Sequence, residues 1–136
     1  MAAAGVTNTG PADTITGVAP KAFLGSYKVF GSPGVNNFAS GDAIIEAVED
    51  AFNDGMDIAS LSLGGPALTG PLDTGRACGA GTGQVCDVEA TVVQEAVTMG
   101  MIVVVAAGNS GETGLLSTAA LNTMASPADE IGRAHV

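Results

Sequence analysis

The stretch that most limits how this chain can fold is Met101 to Asn109, MIVVVAAGN. Its first seven residues are all apolar, with no polar residue interposed. An unbroken run of branched apolar side chains lacks the alternation of a half-exposed strand, so it predicts a strand covered on both faces, the centre of a sheet. The run ends in Ala106, Ala107 and Gly108, which carry almost no side chain, and then in Asn109, whose carboxamide offers two N–H donors. Such an ending suits a backbone that another group approaches closely and to which Asn109 donates hydrogen bonds.

The segments before this strand alternate in type. Ala22 to Phe30, AFLGSYKVF, is β-prone and reads as a first strand, preceded by Gly17-Val18-Ala19-Pro20. Ser40 stands where an N-cap belongs. Ile44, Ile45, Val48 and Phe52 then recur at helical spacing, with Glu46, Glu49, Asp50 and Asp54 opposite and Gly55 at the C′ position. Met56 to Leu63 reads as a second strand, ended by Gly64-Gly65-Pro66. Pro66 to Cys86 is an irregular insertion, with the loop 79–85 enclosed by Cys78 and Cys86. Asp87 caps a second helix whose apolar face is Val88, Val92, Val93, Ala96 and Val97 and which Gly100 closes. Strand, helix, strand, helix, strand with right-handed crossovers makes a parallel sheet. Ligands of such sheets sit at the carboxyl ends of the strands, where Gly31 to Ala39, Ser62 to Gly65 and Ala106 to Asn109 all fall. At the two ends, Met1 to Gly5 resembles the last turn of a helix, and 110–136 reads as an irregular C-terminal segment with a short final strand over Ile131 to Val136.

Length and composition bound the function. The 136 residues, 46% of them hydrophobic, suit a single domain over 1–136 with a real core. Fourteen acids against four bases give a net charge of -10, which repels phosphate and argues against a nucleic-acid partner. The longest apolar run is too short to cross a bilayer, and no charged-then-apolar leader opens the chain, so no membrane partner is expected. Cys78 and Cys86, with seven residues between them, either form a small disulfide ring in an exported protein or stay as two free thiols. Without a neighbouring histidine they make a poor zinc site. Gly108, Gly111 and Gly114 space a loop like a phosphate cradle, but no lysine accompanies them and Glu112 would face the phosphate.

Three short motifs, taken together and in order, narrow the reading: GVAP at Gly17 to Pro20, SLGG at Ser62 to Gly65, and AAGN at Ala106 to Asn109. With helices in the intervals, the chain resembles the middle of a subtilisin-like serine protease from about Met1 to Asn109 and on toward Pro127. The resemblance implies an α/β fold of three layers, a subtilisin-like, Rossmann-like parallel sheet with helices on both faces, of which this chain would hold an incomplete part. It implies peptide-bond hydrolysis by acyl transfer in a secreted parent enzyme acting on peptide or protein substrates. Asn109 matches the oxyanion-hole donor. Ser62, Leu63 and Gly64 match the segment that pairs with the substrate backbone and walls one side of the primary specificity pocket. Ala106, Ala107 and Gly108 match the opposite wall, their small size leaving room for a large substrate side chain. The loop Gly34 to Ala39 lies where the family keeps the other substrate-flanking strand, at a length that departs from the usual pattern.

The family also needs an aspartate, a histidine and a serine, and no residue here takes those roles. His135 belongs to the tail. Thr123-Met124-Ala125-Ser126-Pro127 imitates the family's nucleophile motif but stands where the family has a loop running through Ser-Pro to the next strand. Val6 to Thr16 is a polar, turn-rich loop in the place of a calcium loop of some subtilisins. Its Asn8 and Asp13 do not reproduce the ligand pattern, so no metal or cofactor is expected in this chain, while the parent enzyme leaves room for calcium. The expectation is therefore a piece that carries an oxyanion donor and pocket walls and is inactive alone. Other readings are a non-catalytic peptide- or ligand-binding α/β module, a nucleotide-dependent enzyme using the Gly108 to Gly114 loop, and a protease-like chain that has lost its triad. A sheet cut from a larger one leaves open edges and uncovered faces, which predicts self-association.

Overall fold

A computed structural model describes residues 5, 7–32, 34–35, 38–66, 78–79, 81–109 and 125–127, with the backbone alone for Asn8 and Pro66. The predicted strand over Ile131 to Val136 and the predicted helix end over Met1 to Ala4 lie outside them.

The first helix, α1, spans Gly41–Asn53 and buries Ile44, Val48 and Ala51. Glu46, Glu49 and Asp50 stay on its exposed side. Ser40 is its N-cap by backbone, extended at φ -82 and ψ 150, and its carbonyl accepts the N–H of Ile44 at 3.2 Å. Its hydroxyl makes no capping bond, contrary to the sequence reading. It hydrogen-bonds the Asp42 carboxylate instead, which holds that acid below its ordinary pKa. The second helix, α2, spans Val88–Thr98 and buries Ala90, Val93 and Ala96; Asp87 caps it with its side chain.

Both helices end in the same way. Gly55 at φ +77 and Gly100 at φ +106 take the left-handed conformation, which glycine alone adopts without strain. Behind them Met56 N–H donates to Ala51 C=O and Met101 N–H to Ala96 C=O, each at 3.0 Å, while Gly55 and Gly100 donate to Phe52 and Val97. These are Schellman closures, and each turns its helix directly into a strand.

The strands so launched are β3, Ile58–Leu61, and β5, Ile102–Val105, which pair in parallel with Ile58 opposite Ile102 and Leu61 opposite Val105. Beyond the ladder, Ile102 N–H reaches Asp57 C=O at 2.9 Å and Ala106 N–H reaches Leu61 C=O at 3.0 Å. Two short antiparallel pairs complete the strands of the described residues. In one, β1 (Asn8–Thr9) pairs with β2 (Thr14–Ile15), so the predicted loop over Val6 to Thr16 is a small hairpin. In the other, β4 (Gly65–Pro66) pairs with β6 (Ala125–Ser126).

The core joins Ile44, Val48 and Ala51 of α1, Val93 and Ala96 of α2, and Leu61, Met101 and Val103 of the sheet. Alanines at the helix contacts let the backbones approach closely. Val93, 1% exposed, carries the kind of burial worth about 1.5–3 kcal/mol.

Two expectations need correction. The strand foreseen over Ala22 to Phe30 does not form. Tyr27 and Val29 pack toward the core, and the Tyr27 hydroxyl donates to Asp54 Oδ2 at 2.8 Å, but no ladder joins the segment to β3. A cavity of about 640 Å³ lies between them, lined by Leu24, Tyr27, Val29, Ile44, Ile58 and Leu61. A strand exists only by pairing, and here local β-propensity has no partner at hydrogen-bonding distance. Nor is β5 covered on both faces. Val103 is 6% exposed, whereas Ile102 and Val104 are 59% and 55% exposed. Among the described residues the α/β arrangement is two layers, with both helices packed on the face of Leu61 and Val103.

The open face of Ile58, Ile102 and Val104 is apolar and should drive association of the chain with itself. Light scattering over a concentration series should show mass rising with concentration. The double variant Ile102→Thr/Val104→Thr should shift it toward monomer with little change in melting temperature. A wild-type chain that stays monomeric at high concentration would refute this.

Candidate functional site

The parallel ladder decides which residues meet. It sets the ends of β3 and β5 side by side, so that Ser62, Leu63 and Gly64 leave one strand beside Ala106, Ala107 and Gly108 leaving the other, with Ala106 N–H on Leu61 C=O. Ser62, Gly64, Ala106, Ala107, Gly108 and Asn109 are exposed; Leu63 is half-buried and packs against the core. The two segments leave the carboxyl edge of the sheet side by side. Gly108 has φ +92, a left-handed residue that turns the chain immediately before Asn109. Gly111 and Gly114 lie outside the described residues.

Between these segments sits β6. Ala125 N–H donates to Ala107 C=O at 3.0 Å, and β6 pairs with β4 so that Gly65 faces Ser126. The methyl group of Ala125 fits between two glycines: a Cβ on Gly64 would come within 2.9 Å of it and a Cβ on Gly108 within 3.0 Å. Glycine at both positions is thus a steric requirement of the floor. Ala125, Ser126 and Pro127 are all buried.

Ser126 is tied to the start of α2. Its hydroxyl donates to Asp87 Oδ2, while Asp87 Oδ1 accepts the Ala90 N–H at 3.0 Å as the cap of α2. The part of the nucleophile-like sequence within the described residues, Ala125 to Pro127, therefore serves as floor; Thr123 lies outside them. Motif reading singles out the two segments that the ladder sets side by side, but misses Ala125 and Ser126 as the piece that joins them, and misses the second bond of Asp87. The only sequence signal for them is the Ser-Pro pair at Ser126-Pro127.

Cys78 and Cys86 are joined as a disulfide, with Cα atoms 5.5 Å apart, and the ring ends at the residue before Asp87. Beside that cap, Glu89 from the first turn of α2 leans on the start of α1: its Oε1 lies 2.6 Å from where a Cβ on Gly41 would be. Burial, and secondarily the charge of Asp87, push the Glu89 carboxyl above its ordinary pKa. In the β1–β2 hairpin Asp13 Oδ1 accepts its neighbour's N–H, from Thr14 at 2.8 Å. Among the described residues no three acidic, histidine or cysteine side chains converge. None of the described helices is long and apolar enough to cross a membrane.

Comparison with known proteins points one way. The sequence pattern of the Subtilase family matches residues 1–132. The chain is similar to Subtilisin E of Bacillus subtilis (strain 168), 36% identical over 104 residues, which are 76% of this chain and 22% of that protein. It is 35% identical to a Subtilisin of Bacillus pumilus over 104 residues, 76% of this chain and 30% of the other. It is also 32% identical to the PI-type proteinase of Lactococcus lactis subsp. cremoris over 112 residues, 81% of this chain and 5% of that one. The chain thus spans less than a third of the length of the curated relatives it matches.

Two variants test this geometry. Gly108→Ala forces a side chain into the left-handed region and against Ala125, and should cost about 1–3 kcal/mol in denaturant unfolding. Unchanged stability would mean that the turn relaxes freely. For Glu89 the folded pKa lies above the unfolded value of 4.5, so its contribution is fully present below pH 4.5 and is lost as pH rises through the folded pKa. Glu89→Gln should therefore melt at about the same temperature as wild type in acid and about 1–3 °C higher near neutrality. A difference that does not grow with pH would contradict the assignment.

Proposed function

The chain belongs to the subtilase family, and from that premise we propose that it forms the central part of the catalytic domain of a secreted serine endopeptidase. In this role Ser62 to Gly64 and Ala106 to Gly108 are the two walls of the primary specificity pocket, and Asn109 is the oxyanion donor. The observation that carries the reading is the adjacency of the two walls, Ala106 N–H on Leu61 C=O at 3.0 Å, closed underneath by Ala125. The outer edge of such a wall offers backbone groups that an extended peptide pairs with as an added strand.

The chemistry follows from position. As a nucleophile attacks a peptide carbonyl, charge grows on its oxygen, and the Asn109 carboxamide on a rigid strand end stabilises that charge without reorganising. An aspartate, a histidine and a serine supplied from elsewhere in the parent protein would complete the acyl-transfer apparatus. This chain by itself binds but does not cleave. The Cys78–Cys86 disulfide suits an exported protein, since such bonds persist in oxidising compartments.

Titrating isotope-labelled chain with an extended peptide should shift the amide resonances of 62–64 and 106–109, and casein mixed with the chain should remain intact. Shifts confined elsewhere would overturn the pocket assignment, and hydrolysis blocked by a serine-directed reagent would overturn the incompleteness of the site. In the full-length parent, Asn109→Ala should lower kcat about a hundred- to a thousandfold, the loss that removing such a donor causes in a subtilisin. A non-catalytic peptide-binding module would give the same resonance shifts, but its full-length protein would cleave nothing before or after the substitution.

A further inference from the structure

Asp87 stands outside the candidate site, yet its carboxylate is divided between two elements. Oδ1 accepts the Ala90 N–H at 3.0 Å at the start of α2, and Oδ2 accepts the Ser126 hydroxyl on β6. The residue itself is fastened at both ends. Its carbonyl accepts the Thr91 hydroxyl at 2.8 Å and the Thr91 N–H at 3.3 Å, and the preceding residue, Cys86, is tied to Cys78. Ser126 is 7% exposed. A buried hydroxyl held by a carboxylate forms one of the stronger kinds of neutral-to-charged hydrogen bond, and a break would leave the buried Ser126 hydroxyl without this partner.

What the bond holds is the floor. Ser126 follows Ala125, whose methyl group fills the gap between Gly64 on one wall and Gly108 on the other, with 2.9 and 3.0 Å to a Cβ placed at either. β6 is only two residues long, and its ladder with β4 is equally short. Such a short pair is weak by itself. We propose that Asp87 is a positioning residue that clamps Ala125 between the walls and so sets the depth of the pocket and its preference among substrate side chains. This rests on the peptide-binding function proposed above. The clamp couples α2 and the disulfide ring to selectivity without touching the substrate.

The test separates the cap from the clamp. Ser126→Ala removes the bond to β6 and leaves the α2 cap intact. Asp87→Ser keeps an N-cap oxygen but has no second oxygen to share. In both variants of the full chain, hydrogen exchange of the Ala125 amide should quicken by about tenfold or more, and the double variant should add little to either. Two labelled extended peptides, identical except for Phe or Ala at the residue entering the pocket, should show a ratio of Kd values changed by about fivefold or more. That ratio is independent of the fraction of chain folded, so a merely structural role would not move it. Unchanged exchange overturns the clamp, and faster exchange with an unchanged ratio overturns its effect on selectivity. A wild-type chain that binds neither peptide overturns the functional reading instead, and the exchange measurement, which needs no ligand, still judges the clamp.

Discussion

The parallel pairing of β3 with β5 is the interaction on which the other features depend. Four residue pairs in register, Ile58 with Ile102 through Leu61 with Val105, place two strand ends at one edge of the sheet, pointing the same way. In an antiparallel pair the two ends would lie at opposite edges, and SLG and AAGN could not leave the sheet side by side. Parallel pairing in turn requires a crossover between the strands. α2 supplies part of it, packed on the same face as α1, with Ala51 and Ala96 in the shared core small enough to let helix and sheet close together.

The joints that deliver each helix into its strand were legible in the sequence because they are local. Gly55 and Gly100 each stand just past an apolar helical stripe, and a left-handed residue there is a requirement of the chain over five or six positions. Asp87 was legible as a cap for the same reason. The larger features that sequence reading misplaced are set by distant partners. Ala22 to Phe30 has the composition of a strand but stands off from β3 across an apolar cavity. Met101 to Ala107 is apolar throughout, but burial alternates along it because both helices lie on one face. Ser40 had the correct backbone for a cap, and its hydroxyl chose the adjacent Asp42 carboxylate over a helix N–H.

The candidate site divides in the same manner. The two strand ends proposed as its walls were legible because small residues at a strand end are a local signature that also matches a family pattern. Its floor was not, because Ala125 reaches the walls from a part of the chain whose own sequence mimics a different motif. Only the pairing Gly65 with Ser126 and the bond from Ala125 to Ala107 reveal which meaning applies. The glycines at Gly64 and Gly108 then acquire a second reason to be glycine. Besides giving the backbone its shape, they leave the volume that the Ala125 methyl occupies.

This arrangement separates binding from chemistry within one fold. A peptide-binding edge needs only exposed backbone groups and a pocket, both of which local packing of β3, β5 and β6 can build. The proposed oxyanion donor needs more, a carboxamide whose position is fixed before the charge appears, and the turn at Gly108, φ +92, is what would aim Asn109. A nucleophile and its base need to be brought within hydrogen-bonding reach of that donor by other chain segments, and their alignment is worth nothing unless the donor already stands in place. In the proposed role β5 and the segment that follows it to Asn109 would serve as a fixed reference of the site, anchored to the core through Met101 and Val103.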